Sequence, residues 1–230
     1  MPGVDDIRLT RRGSLASLFA GALALAGWKV GASEAGTGPA AVASGAVTCV
    51  LTPELTEGPY YITGEKLRRN ITEGKPGAPL TLHLAVVDTS TCKPIKGAAV
   101  DIWHADAGGV YSGFGAGSVN RTFMRGAQRT GADGIATFQT VYPGWYHGRT
   151  VHIHVKVHVG GNVVHTGQLF FADAVTDAVY RRAPYTKRPS RTTRNADDSI
   201  FVNGGKNSLV KIGRLGAGYA GAITMGVHTS

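Results

Sequence analysis

Residues 151–159 (VHIHVKVHV) alternate in character along an extended run, so His152 and His154 share one face and Val151, Ile153, Val155, Val157 and Val159 share the other. The valine-rich face has the character of a core face. The two imidazoles stand ~7 Å apart along the backbone, a spacing from which both rings can turn toward one metal ion. Lys156 and His158 continue the same face, so a plain solvated strand face competes with the metal reading. An aromatic turn, residues 142–149 (YPGWYHGR), feeds this strand and brings Tyr146 close to it. Tyr111 follows the turn Gly108-Gly109 at the end of another apolar run. By residue type alone, either tyrosine is an amphipathic packing residue. No carboxylate adjoins the two histidines in sequence, so a two-His-one-carboxylate Fe(II) site has no obvious third member.

The elements that must hold these residues read as strands. Residues 81–88, 98–104, 134–141, 151–159 and 163–171 are β-branched or alternating runs, and turn signals such as Thr91-Cys92-Lys93-Pro94, Asp133-Gly134 and Pro143-Gly144 separate them. No middle segment keeps a helical period. The spacing predicts an all-β fold, an antiparallel sandwich of immunoglobulin or transthyretin type with long loops. Residues 176–182 predict a short helix capped by Thr176. The remainder reads as loop, with glycines in 213–226 opposing any long helix.

The chain has 230 residues, enough for one domain with a real core plus a targeting segment. Residues 1–32 combine Arg11-Arg12, a short apolar run over 15–27 and small residues near Ala32. That pattern predicts a twin-arginine export signal, too short to span a membrane, with no stable insertion once it is removed. Residues 33–48 read as a flexible linker and 49–230 as the catalytic domain. Cys49 and Cys92 are the only cysteines, and an even count in an exported chain predicts one disulfide. The net charge of +9 is not gathered into a basic face with interleaved aromatics, so no nucleic-acid partner is expected.

Four segments, in order, resemble the intradiol ring-cleavage dioxygenase family. They are Thr56-Glu57-Gly58-Pro59-Tyr60-Tyr61, then Asp101-Ile102-Trp103-His104-Ala105 with Gly109-Val110-Tyr111-Ser112, then Pro143-Gly144-Trp145-Tyr146, and then Arg149-Thr150-Val151-His152-Ile153-His154. A fifth, Gly167-Gln168-Leu169-Phe170-Phe171, is similar to the family's glutamine-bearing strand. Thr150-Val151 departs from the family's commoner Pro-Ala. The helical N-terminal dimerisation region of the catechol members is also missing, which places the chain nearer the short, exported branch and leaves homo-oligomerisation open.

The resemblance implies a non-haem Fe(III) ion held by Tyr111, Tyr146, His152 and His154. It implies a small aromatic diol and O2 as substrates, with ring cleavage between the two hydroxylated carbons. Arg149, Tyr146 and Gln168 would be catalytic, and Tyr60, Arg149 and Gln168 would meet the substrate. His104 is expected to make a structural hydrogen bond, His147 could line the pocket, and His83, His158, His165 and His228 are read as ordinary core or surface residues. Two other readings stand beside this one: an exported β-sandwich binding module, and a copper or zinc enzyme built on the His152/His154 strand.

Overall fold

The computed structural model describes residues 49–115 and 117–229. The expected leader (1–32) and linker (33–48) lie outside the described residues. Eight strands form in chain order: β1 (Pro79–Asp88), β2 (Ala99–Trp103), β3 (Arg125–Arg129), β4 (Ile135–Val141), β5 (His152–Val159), β6 (Asn162–Phe170), β7 (Lys211–Leu215) and β8 (Gly218–Val227). Two short helices, α1 (Asp173–Tyr180) and α2 (Ser199–Val202), lie between β6 and β7. The strands make two four-stranded sheets, ordered β4-β1-β8-β7 and β3-β2-β5-β6.

The facing sides of the sheets close on one core. Leu80, Leu82, Leu84 and Val86 of β1 meet Val100 and Ile102 of β2 and Ile153, Val155 and Val157 of β5 in a single apolar cluster. The valine face of the histidine strand is therefore the core face, as its alternation predicts. The opposite face is buried as well: His152, His154 and Lys156 are 3%, 1% and 7% exposed. A polar strand face goes under cover only if other polar groups meet it, and here loops that begin near residue 56 supply them.

Three strands fall where none is predicted. β3 (RGAQR) lacks an apolar period because its outward position holds the buried Arg125. β7 and β8 occupy the stretch read as loop. β8 (GYAGAITMGV) is rich in small residues, yet it is a central strand between β1 and β7. Its glycines are there for fit: a Cβ on Gly221 would fall 2.8 Å from Ile212 Cδ1 and from Val210 Cγ1. β8 also pairs with β1 in parallel, so the sandwich is not wholly antiparallel. The helix expected over 176–182 begins earlier, with Ala172 at its N-cap and Asp173 in its first turn. Thr176 does not cap it; its hydroxyl is buried and shares a 2.7 Å hydrogen bond with the Tyr142 hydroxyl. Among the described residues no helix is long and apolar enough to cross a membrane.

Candidate metal centre

Strand register assembles the floor of the site. Arg125, Trp103, His154 and Gln168 are successive cross-strand partners over β3, β2, β5 and β6, forming one row on the outer face of the sheet. Asp101 and Lys156 are partners in the neighbouring row. His152 lies two residues before His154, at the start of β5.

Two loops then bring the tyrosines over this floor. Asp106 shapes the first: its carboxylate accepts from the amides of Gly108 (2.9 Å) and Val110 (3.1 Å), and Tyr111 follows directly. The carbonyl of Asp106 accepts from the Gly144 amide at 3.0 Å, which fastens the second loop, the one that carries Tyr146, against the first. Only glycine fits at that crossing, since a Cβ on Gly144 would lie 2.4 Å from the Ala107 carbonyl oxygen.

The four expected donors converge. The Nε2 atoms of His152 and His154 are 3.1 Å apart, and the Tyr146 hydroxyl is 3.1 Å from His152 Nε2. The Tyr111 ring packs edge-on to both Tyr146 and His154, with centroids 5.6 and 6.1 Å away. His152 Nδ1 donates to the Thr150 carbonyl at 2.6 Å, which leaves the lone pair on Nε2, facing the cluster. Trp103 stacks on His154 with ring centroids 5.0 Å apart and planes 8° from parallel.

Burial sets the protonation of the cluster. It pulls His152 down to about 3, with the nearby Arg149 charge adding to the effect, and it holds His154 well below the ordinary imidazole range, with His152 adding to it. Both rings are thus neutral donors. Burial also raises both phenols, that of Tyr111 further through its neighbour Tyr146, while the Arg149 charge partly opposes the rise at Tyr146. The Tyr111 hydroxyl and His154 Nδ1 are buried without a hydrogen-bond partner among the described residues. Two neutral imidazoles beside one buried and one half-buried phenol form a donor set that fits a ferric ion. A hard trivalent cation would reverse the phenol preference and favour the phenolates. The described residues offer no cluster of three His, Cys, Asp or Glu side chains for a metal, so the tyrosines are essential to this fit.

The other predicted residues surround the cluster. Arg149 Nη1 is 3.5 Å from His152 Nε2, and its Nη2 donates to Gln168 Oε1 at 2.5 Å. Gln168 donates in turn to the Thr56 carbonyl at 2.8 Å. Tyr60 stacks on Tyr111 with centroids 4.3 Å apart and meets Phe114 edge-on at 5.2 Å. His104 is fully buried and bonds the Ala105 carbonyl and the Thr140 hydroxyl, a structural role. His147 is exposed. Cys49 and Cys92 are joined as a disulfide.

Several supporting residues escape a reading of motifs. Arg125, 1% exposed, donates to the Tyr60 carbonyl (2.7 Å) and the Ser112 carbonyl (2.8 Å), so it ties together the loops whose tyrosines stack. Lys156 pairs with Glu57, and its ammonium lies 3.7 Å from the Tyr61 ring centroid. Gly58, with φ of +71°, lets this segment press on His154: a Cβ there would be 3.1 Å from His154 Cε1. Asp198 accepts from Arg149 Nε at 2.8 Å. Glu57, Gly58, Tyr60, Tyr61 and Ser112 lie inside the quoted motifs; Arg125, Lys156 and Asp198 do not, and their partners are set by long-range packing.

Comparisons with known proteins agree with the geometry. Residues 56–179 match the family model Dioxygenase_C, described as "Dioxygenase". An intradiol ring-cleavage dioxygenase from Tetranychus urticae superimposes with a TM-score of 0.75 at 40% identity, covering 78% of this chain and 95% of that one. The dioxygenase domain of a dioxygenase–carbohydrate-binding protein fusion from Streptomyces sp. SirexAA-E gives 0.62 at 34% identity, covering 79% of this chain and 100% of that one. Catechol 1,2-dioxygenase 1 of Acinetobacter lwoffii is 36% identical over 101 residues, 41% of this chain. The matched region spans only 32% of that relative's length. With its family segment, its fold and its four converging donors in agreement, the chain belongs to the intradiol ring-cleavage dioxygenases.

Proposed function

We propose that the protein is a non-haem Fe(III) dioxygenase that opens the ring of a catechol-type diol between its hydroxylated carbons. Both atoms of O2 enter a cis,cis-muconate-type product, so no further reductant is needed. The observation that carries this reading is the convergence of Tyr111, Tyr146, His152 and His154 on one point, with no carboxylate joining the two histidines among the described residues. The sandwich is read as immunoglobulin- or transthyretin-like. Export by the twin-arginine route rests on Arg11-Arg12 and the apolar run behind them, and the Cys49–Cys92 disulfide suits an oxidising compartment.

When bound, ferric iron would supply a Lewis acid that favours the diol dianion and makes its ring electron-rich toward O2. The chain's own residues do the rest. His152 and His154, kept neutral by burial, leave their lone pairs free. Tyr146 is the less buried of the two phenols, so, as the phenolate that a bound ferric ion would favour, it is the one placed to take a proton from a substrate hydroxyl. Arg149 presents Nη1 toward the donor cluster, where it can stabilise negative charge that develops on the ring. Gln168 holds Arg149 in that aim and joins it to the segment that bears Tyr60. The stacked Tyr60 and Tyr111 rings form a flat aromatic wall for a planar substrate.

The test combines elemental analysis, a visible spectrum and an oxygen electrode on protein exported by its native route. Stoichiometric iron, a tyrosinate charge-transfer band, and O2 uptake with growth of muconate absorbance on catechol, hydroxyquinol or protocatechuate are expected. Zinc or copper without ring cleavage, or a colourless inactive protein, would overturn the proposal.

A further inference from the structure

We infer that Asp198 is the positioning residue for Arg149, and that Thr150, through its backbone amide, shares the bracket that fixes it. The inference rests on the catalytic role given to Arg149 above. Asp198 is 2% exposed, and one of its oxygens, Oδ2, receives both Arg149 Nε (2.8 Å) and the Thr150 amide (2.9 Å). Its other oxygen, Oδ1, accepts from the amides of Ile200 (2.9 Å) and Phe201 (3.2 Å), anchoring the carboxylate to the first turn of α2. Neither oxygen is free to swing.

The guanidinium is thereby fastened on two sides. Asp198 holds Nε and Gln168 holds Nη2, which leaves Nη1 as the nitrogen turned to the donor cluster, 3.5 Å from His152 Nε2. A planar fork gripped at two nitrogens has little freedom at the third. The carboxylate also neutralises a cation that would otherwise sit bare beside a site built to take another cation. Although burial opposes it, the Thr150 amide and the Arg149 guanidinium hold Asp198 below the ordinary carboxylate range, so it is charged at neutral pH.

Thr150 gives the bracket a backbone donor. It stands where the resembled motif more commonly carries proline, and proline has no N–H to offer. Here that N–H goes to Asp198, and the Thr150 hydroxyl donates to Asn195 Oδ1 at 2.6 Å. Asn195 in turn donates to the Phe171 carbonyl at 2.8 Å. The segment 195–198 is thus stitched to the start of β5 and the end of β6, the two strands that carry His152 and Gln168.

The experiment is a double-mutant cycle on iron-loaded protein, with Arg149→Ala, Asp198→Asn and the pair together. Turnover of catechol is compared at matched iron content, and thermal midpoints are recorded for all four proteins. Asp198→Asn is expected to lower kcat by about 10- to 100-fold with KM changed only a few-fold, and to add almost nothing once Arg149 is alanine. A merely structural aspartate would lower the midpoint and depress kcat equally in both backgrounds. That result, or an Asp198→Asn variant with parental kcat, overturns the inference. If Asp198→Asn does not fold, Asp198→Glu is read instead: it keeps the charge, displaces the contact, and must show the same dependence on Arg149. A parent protein that cleaves none of catechol, hydroxyquinol and protocatechuate overturns the reaction itself, whereas an active parent indifferent to Asp198 overturns this role alone.

Discussion

His152 and His154 face each other across 3.1 Å between their Nε2 atoms. Alternation along β5 puts both on the outer face, but alternation alone would leave the rings free to diverge. Two contacts prevent this: the Thr150 carbonyl holds His152 by Nδ1, and Trp103 lies parallel to His154. Gly58 packs close by, where an added Cβ would lie 3.1 Å from His154 Cε1. The fold itself therefore fixes the orientation of the pair.

Replacing either tyrosine by phenylalanine keeps the ring and removes the oxygen, so each variant tests one donor. Tyr111→Phe and Tyr146→Phe should both change the visible charge-transfer band and lower ring cleavage by at least roughly 100-fold. Tyr146→Phe should retain more iron, because Tyr146 is the less buried phenol and the one assigned to give way to substrate. An unchanged band at full iron content would remove that tyrosine from the ligand set.

Gly144→Ala probes the crossing of the two tyrosine loops. The added methyl would lie 2.4 Å from the Ala107 carbonyl oxygen and 2.5 Å from that of Asp106. Both obstacles are backbone, so neither can turn aside as a side chain would. Destabilisation of about 2–3 kcal/mol is expected, with iron affinity falling as the loops part. Urea unfolding of the iron-free variant checks the first effect and metal titration the second. A variant as stable as the parent would mean that the loops yield more easily than this packing implies.

How far these features are legible in the sequence follows from the range of the interactions. The five strands with clear alternation were readable because each buries an apolar face, and period-two patterning records burial directly. β3 and β8 were not, since Arg125 and the glycines of β8 are fixed by neighbours far along the chain. Within the site, the donors stand in short motifs whose order the resemblance supplies. Asp198 shows only an Asp-Ser helix start, and nothing local announces that its other partner is Arg149. The Lys156 face read equally well as solvent-exposed, because the cover comes from Glu57, 99 residues earlier in the chain.

Glu65 gives a pH dependence whose sign can be worked out. Burial raises its carboxyl to about 7 from an ordinary 4.5, with Arg125 only partly opposing the rise. Between those values the folded protein keeps a proton that the unfolded chain has released, so this contribution to stability is whole below about 4.5 and is lost as pH rises through 7. Glu65→Gln removes the titration. The stability gap between variant and parent should therefore shift in favour of the variant from pH 5 to pH 8. Urea midpoints of both proteins at the two pH values supply the comparison, and a gap that stays constant would contradict a raised Glu65.

Lys156→Met asks what holds the cover of the site in place. The methionine keeps an apolar stem of similar reach on β5 but loses the ammonium, and with it the ion pair to Glu57 and the contact above the Tyr61 ring. The Glu57 side chain is 41% exposed, so solvent weakens the pair, and the global cost should be only about 1 kcal/mol. The local effect should be larger, because the segment from Glu57 to Tyr61 carries both Gly58, pressed on His154, and Tyr60, stacked on Tyr111. Faster amide hydrogen exchange confined to residues 57–61 and a several-fold rise in KM are expected, with kcat little changed, since no donor moves. If exchange in that segment matches the parent while global stability drops, Lys156 supports the sheet and not the cover. If kcat falls as far as KM rises, the segment reaches the reacting groups more directly than its contacts indicate.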